Sequence, residues 1–221
     1  DSVVVSGAKR WCTGSHIADY IFCLVRSGAR DEKYRNLSIV LVPPRSPGVT
    51  ITPLGHLGIR GVETKDVTFD EVRVPHANIL GGPEKWGEGW AQLAGRAPEV
   101  EKLERSACAL GIATAAVDDA TAYAQERVQF GRKISAHQAI RHSIAEMRTR
   151  VQAMRHMLYH AAWLADRGRP CSVETSMAKL FCCEGAAEVT QAAMRVAGAY
   201  GLSDQFDFER YTRDAISLPI V

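Results

Sequence analysis

Between Tyr123 and Met147 the chain reads YAQERVQFGRKISAHQAIRHSIAEM, two helical segments separated by a short basic break. Upstream, Leu103, Leu110, Val117 and Ala124 recur at heptad spacing, with Ala107, Thr114, Thr121 and Val128 between them, so a helix running up to Phe130 with one face toward a core is expected. Gly131 supplies a cheap positive φ to end that helix. Ser135, with Gln138 three residues on, has the pattern of a capping box for the next one. Arg127, Arg132 and Lys133 stand just before this second N-terminus. Unpaired backbone N–H groups, the positive end of a helix dipole and three cations together suit a phosphate or pyrophosphate. The same residues also fit a simpler role, as solvated surface charges beside a capped helix.

The string E-R-x-x-F-G-x-x-I-x-x-H-Q-A-I from Glu126 to Ile140, followed by Ala145-Glu146-Met147, resembles the signature of the acyl-CoA dehydrogenase family. The resemblance implies that Arg127, His137 and Gln138 bind FAD, largely that of a neighbouring subunit, and that Phe130 touches the flavin. It also implies a homo-oligomer, a dimer or a dimer of dimers such as a homotetramer, with an electron-transfer flavoprotein or similar acceptor as partner. Fatty acid metabolism is the expected setting.

Composition fits this outline. The chain has 221 residues, 46% of them hydrophobic and 24% charged, enough for one large domain or two modest ones. A net charge of +2 gives no reason to expect nucleic acid as a partner. No membrane span is apparent. The six cysteines have no paired spacing, which suggests reduced thiols and a cytoplasmic setting, and DSVVVSG at the start reads as a strand and not as a signal peptide.

From Asp1 to about Leu80 the pattern is β. Val3 to Val5, Tyr20 to Val25, Leu37 to Val42 and Val67 to Val74 are rich in β-branched and aromatic residues and alternate with turn clusters such as Pro43-Pro44 and Ser46-Pro47-Gly48. A small barrel or sandwich is expected. In Val67 to Val74 the inward set Val67, Phe69, Val72 and Val74 changes phase near Asp70 and Glu71, which predicts a bulge or bend. The string G-A-K-R-W-C-T-G, Gly7 to Gly14, resembles the family strand in which W-I-T packs along the flavin, with Cys12 in place of Ile. Trp11 would offer a flat apolar face and Thr13 a hydroxyl that donates and accepts. A Trp in a barrel core is the competing reading. The segments Leu54 to Gly58, Gly61 to Thr64, Phe69 to Pro75 and Asn78 to Gly81 also follow the family order. They read as turns and close approaches, without chemistry.

Gly81 to Gly89 is a linker by composition, and after it the period becomes helical. The expected organisation is a β-domain over residues 1–82, the latter part of the family's middle domain, and a C-terminal helical domain over 83–221. In class terms this is α+β, a partial β-barrel followed by an antiparallel four-helix bundle. Ile140, Ile144, Met147, Val151, Met154, Leu158 and Leu164 form the stripe of the second helix, which stops at Gly168 and Pro170. A third helix is expected from Ser172 to about Ala197 and a fourth from Asp207 to Ser217. His156 and His160 have metal-ligand spacing but no acidic partner, so no metal site is expected.

Members of the family remove two hydrogens from an acyl-CoA thioester, a carboxylate taking the α-proton while the β-hydrogen leaves as hydride to flavin. Most carry that carboxylate on a loop after an R-D-A segment, here Arg213-Asp214-Ala215, and the sequence ends at Val221, short of that loop. A minority place it on the first C-terminal helix, ten residues before a glycine that matches Gly111, which gives Glu101. The spacing from Gly89 to Gly111 is one residue longer than the family's, so Glu104 is the alternative. Lys102 stands where the family has a substrate-binding Arg. Glu99, Glu101 and Glu104 also fit a plain role as helix-start acids after Pro98. The family's Q-x-x-G-G-x-G, which contacts the adenine side of a neighbour's FAD, is here R-V-A-G-A-Y-G, with Arg195 for Gln and Ala199 for the second Gly. That departure keeps a second expectation open: a non-catalytic or flavin-poor partner subunit, or a scaffold, with the same fold.

Overall fold

The computed structural model describes residues 1–94 and 97–220, apart from the side chain of Ala97. The chain forms two compact units, one made of Asp1–His56 and Arg60–Ala97, the other of Leu57–Ile59 and Pro98–Val221.

The first unit is built on five strands, β1 (Ser2–Lys9), β2 (Ile21–Arg26), β3 (Leu37–Val42), β4 (Val49–Pro53) and β5 (Lys65–Pro75). They form two open sheets, β1-β5-β4 and β2-β3, both antiparallel. Val5, Ile21, Cys23, Val40, Val42, Val67, Phe69, Val72 and Val74 from the two sheets share one core. The expected partial barrel is thus a pair of open sheets, and β4 is a strand that the sequence reading passed over. In β5 the residues Val67, Phe69, Val72 and Val74 are buried. Between Gly7↔Phe69 and Val5↔Val72 the longer strand holds one extra residue, and Glu71 takes φ 47° there. This bulge lets the inward set change phase without exposing a valine. A short helix α1 (Gly89–Leu93) follows, its Trp90 ring stacked on Tyr34 at 5.0 Å.

The second unit holds α2 (Ala97–Glu126), a two-residue hairpin β6 (Val128–Gln129) and β7 (Arg132–Lys133), α3 (Gln138–Asp166), α4 (Ser172–Ala197) and α5 (Phe208–Ser217). One core joins Leu110, Val117 and Ala124 of α2, Met147 to Leu158 of α3, Cys182 to Val196 of α4 and Phe208 and Ala215 of α5. Small residues make this possible. Ala178, Gly185, Ala186 and Ala193 bring α4 close to its neighbours, and a Cβ on Gly185 would sit 3.2 Å from the sulfur of Met154. On α2 the buried stripe is Ala109, Ala113, Ala116, Ala120 and Ala124 with Leu110 and Val117, whereas Ala107 and Val128 are exposed.

All six cysteines are unpaired. Burial pushes the Cys182 thiol up to about 12 and raises those of Cys183 and Cys23 as well, so these three stay protonated and unreactive at neutral pH. Among the described residues no helix is long and apolar enough to cross a membrane, and no group of side chains is arranged to hold a metal ion.

The turn Leu57–Ile59 is fastened to α5. Asp214 accepts the Ile59 N–H at 2.5 Å, and Arg213 donates to the Leu57 carbonyl at 3.3 Å. Ile59 has φ 54°, an uncommon value for a β-branched residue, held by this pair of contacts. Nearby, Tyr211 donates to Asp119 at 2.8 Å, and burial first, that hydrogen bond second, raise its phenol to about 12. A phenol whose folded value exceeds its unfolded one near 10 keeps its full contribution to stability below that pH and loses it as pH rises toward 12. In a spectrophotometric titration of the folded protein Tyr211 should therefore ionise late, and Tyr211→Phe should remove that late step.

Candidate functional site

The break between the helices is where the structure departs most from the sequence reading. Helix α2 ends at Glu126, four residues before Phe130, and Gly131 does not cap it. Instead Phe130 and Gly131, with φ 54° and 78°, are the two central residues of a hairpin turn that pairs Val128 with Lys133 and Gln129 with Arg132. Two positive φ values in a two-residue loop match the twist of the flanking strands. The capping box does not form either. Ser135 lies inside a 3-10 turn, Ile134–Ala136, and α3 starts at Gln138 with His137 as its N-cap residue and no side-chain cap.

The hairpin holds Phe130 out into solvent with 91% of its surface exposed, from a backbone conformation that costs an aromatic residue about 1 kcal/mol. An exposed aromatic on strained backbone is a frequent mark of a contact surface. His137 braces it. The Arg132 guanidinium lies 3.2 Å from Nδ1, Nε2 faces the Gln129 carbonyl at 3.4 Å, and the ring meets Phe130 edge to face at 6.0 Å.

Beneath the hairpin lies a cavity of about 380 Å³ lined by Arg127, Phe130, His137, Ile140, Ala199 and Tyr200 among others. The Arg127 guanidinium stands 5.2 Å over the Tyr200 ring, which orients it while its N–H groups remain available. Four of the residues singled out in the sequence, Arg127, Phe130, His137 and Ala199, thus meet at one cavity, and Tyr200 is a wall that sequence reasoning missed. Gln138 and Arg195 are exposed and not part of its lining. The cavity combines one cation, apolar walls and an exposed aromatic lip. That donor set fits the phosphate and ring portions of a dinucleotide such as FAD.

In the first unit, Trp11 and Thr13 lie beyond the end of β1, in a loop and not in a strand. Trp11 has φ 64° and is 66% exposed, with the Arg10 guanidinium 5.7 Å from its ring. It is therefore not a core residue. The Thr13 hydroxyl pairs with that of Thr64 at 3.2 Å.

On α2, Glu101, Glu104, Cys108 and Gly111 are all exposed, while Ser106, Ala109, Leu110 and Ala113 are buried. Glu101 is ion-paired with Arg105 at 3.8 Å, and Lys102 faces Glu99 at 4.0 Å. Nothing would meet a Cβ placed on Gly111, so the face below the two carboxylates is open. Residues 95 and 96, within the Gly89–Gly111 spacing used to choose between them, lie outside the described residues, as does Val221.

Residues 1–72 match the model of the acyl-CoA dehydrogenase middle domain and residues 87–221 that of the C-terminal domain. The chain belongs to the acyl-CoA dehydrogenase family. It is 37% identical over 97% of its length to a probable acyl-CoA dehydrogenase of Bacillus subtilis, covering 56% of that protein. With the benzylmalonyl-CoA dehydrogenase of Aromatoleum aromaticum the identity is 39%, over 96% of this chain and 54% of the other. The butyryl-CoA dehydrogenase of Megasphaera elsdenii superposes with a TM-score of 0.92 at 29% identity, over 99% of this chain and 56% of that one. The chain thus spans about half the length of the curated relatives it matches.

Proposed function

We propose that the protein carries out FAD-dependent α,β-dehydrogenation of an acyl-CoA thioester and works as a homo-oligomer, a dimer or a dimer of dimers, with an electron-transfer flavoprotein or a similar acceptor. The observation that carries this reading is the cavity at which Arg127, Phe130, His137 and Ala199 converge, in a chain of this family. The domain boundary is read in the Gly81–Gly89 linker, giving residues 1–82 and 83–221, while the compact first unit itself runs on to Ala97. The match to the C-terminal domain beginning at residue 87 supports it. The helical part is read as an antiparallel four-helix bundle presenting the hairpin at a subunit interface.

Bound FAD supplies the two-electron oxidising capacity that no side chain has. The rest falls to the chain. Arg127, steadied by Tyr200, meets the pyrophosphate, and Phe130 covers apolar ring surface. Gln138 and Arg195, both exposed and next in sequence to the lining residues His137 and Val196, are read as contacts for the part of the ligand outside the cavity. Trp11 lays its exposed face along the flavin and Thr13 offers its hydroxyl to a ring nitrogen or oxygen. Glu101, or Glu104 as the alternative, takes the α-proton, and Lys102 supplies a cation for the substrate.

In the full-length protein, Arg127→Ala should weaken FAD binding about tenfold or more, in line with the loss of a charged hydrogen bond. Flavin fluorescence titration measures it. Unchanged affinity would remove Arg127 from the site.

A further inference from the structure

We infer that Thr64 is a positioning residue for the cofactor, acting through the hydroxyl of Thr13. The inference rests on the reading that Thr13 faces the flavin, and it gives a role to a segment whose sequence pattern suggested only a turn.

From Gly7↔Phe69 to Lys9↔Val67 strand β1 pairs with β5 in a single register. Beyond that pair the Cys12 N–H donates to the Lys65 carbonyl at 2.9 Å and the Gly14 N–H to the Glu63 carbonyl at 3.0 Å. Both contacts are displaced by one residue from the Lys9↔Val67 register, and the extra residue falls at Arg10–Trp11, where Trp11 takes its positive φ. The loop is therefore offset by one residue and tied by two further cross-chain hydrogen bonds beyond the ends of the named strands. Thr13 and Thr64 are the pair between the two hydrogen-bonded positions. In antiparallel strands that non-hydrogen-bonded position brings opposite side chains closest, and Thr–Thr pairs there share a hydrogen bond. The 3.2 Å hydroxyl contact is the result.

Thr64 is also held from its other side. The Leu54 N–H donates to the Thr64 carbonyl at 2.9 Å, continuing the β4–β5 ladder past Pro53↔Lys65. The Glu63–Thr64 segment leading into β5 thus has hydrogen-bonded neighbours on both sides, and a β-branched side chain held there has few rotamers open to it. Thr64 is half-buried, whereas Thr13 is exposed. Either hydroxyl can donate in this pair; when Thr13 engages a ligand as a donor, Thr64 completes the pair by donating to Thr13 Oγ1, which directs the Thr13 proton outward and polarises it. Without Thr64 the Thr13 hydroxyl rotates freely and offers donor or acceptor indifferently. The offset at Trp11 and the Thr13–Thr64 pair consequently set the flavin-facing groups of this loop as one unit.

Four full-length, FAD-loaded variants test this by flavin midpoint potential and FAD affinity: Thr13→Val, Thr64→Val, Thr64→Ser and the double Val substitution. Thermal melting checks that each is folded. Thr13→Val should shift the potential and weaken FAD binding about three- to tenfold. Thr64→Val should shift the potential in the same direction by less, Thr64→Ser should stay at the parent values, and the double variant should match Thr13→Val alone. A Thr64→Val protein with parent potential and affinity beside a shifted Thr13→Val protein would overturn the inference and leave the role of Thr13 standing. So would effects of the two substitutions that add, or a Thr64→Ser protein that behaves like Thr64→Val. An unshifted Thr13→Val protein would overturn the reading of Thr13 itself, and the inference with it.

Discussion

Glu101→Gln in the full-length protein is expected to lower the rate of acyl-CoA dehydrogenation about a thousandfold while FAD binding and thermal stability stay near their parent values. The size follows from the usual worth of a positioned base, and the selectivity from where Glu101 sits. Its side chain is exposed on α2 and, among the described residues, is tied to Arg105 one turn away at 3.8 Å, so the isosteric amide disturbs no packing there. An exposed i, i+4 ion pair contributes about 0.3–0.5 kcal/mol. Glu104→Gln is the matched control on the same open face. A collapse in that variant with Glu101→Gln unaffected would move the base by three residues, and full activity in both would leave the two as helix-start acids. Steady-state assay with a dye acceptor reads all of these.

Gly58→Ala is expected to destabilise the protein by about 3 kcal/mol, among the larger effects of a single methyl group. A Cβ on Gly58 would run into the backbone of Arg213 and stand 2.8 Å from the Cα of Asp214. Backbone atoms cannot swing aside as a side chain does. The turn must lift from α5, losing the Ile59-to-Asp214 and Arg213-to-Leu57 hydrogen bonds together. Thermal or urea unfolding of the parent and the variant measures the loss, and equal stability would mean that the turn is not fastened as described.

The parts of this fold that were legible in the sequence are those where pattern and chemistry agree locally. Helix α4 begins at Ser172 and ends at Ala197, bounded by Pro170 on one side and Gly198, with φ 63°, on the other. The bulge in β5 was visible because Val67, Phe69, Val72 and Val74 cannot all face one core without an extra residue among them. Strand β4 was lost because VTITP is only five residues long and lies next to a proline and glycine cluster that reads as turn. The β6–β7 hairpin was lost for a different reason. Two-residue strands carry no alternation, and a Phe in the left-handed region, unlike a glycine, has no propensity signal.

The candidate site divides in the same way. Arg127, Phe130 and His137 are near one another in sequence, and a local motif suffices to group them. Tyr200 lies within the R-V-A-G-A-Y-G segment that the resemblance singled out, but its place over Arg127 emerges only where the residues after α4 line the same cavity as the hairpin. Thr64 is hidden more deeply still. Its meeting with Thr13 depends on a one-residue shift of register at Trp11, which only the paired strands disclose. Ser135 and Gln138 show the opposite failure, a local pattern that tertiary structure did not use. The chain enters α3 through a 3-10 turn, and His137, fixed by Arg132 and Gln129, takes the N-cap position instead.

The cavity under the Phe130 hairpin, and separately the loop of Trp11 and Thr13, are proposed to serve flavin. The most direct test is the flavin content of the full-length protein, purified without added cofactor and read by its visible absorbance and by the FAD released on denaturation. A yellow protein with one FAD per chain is expected, with part of that FAD lost from Arg127→Ala. A folded, colourless full-length protein that takes up no FAD on addition would contradict this reading.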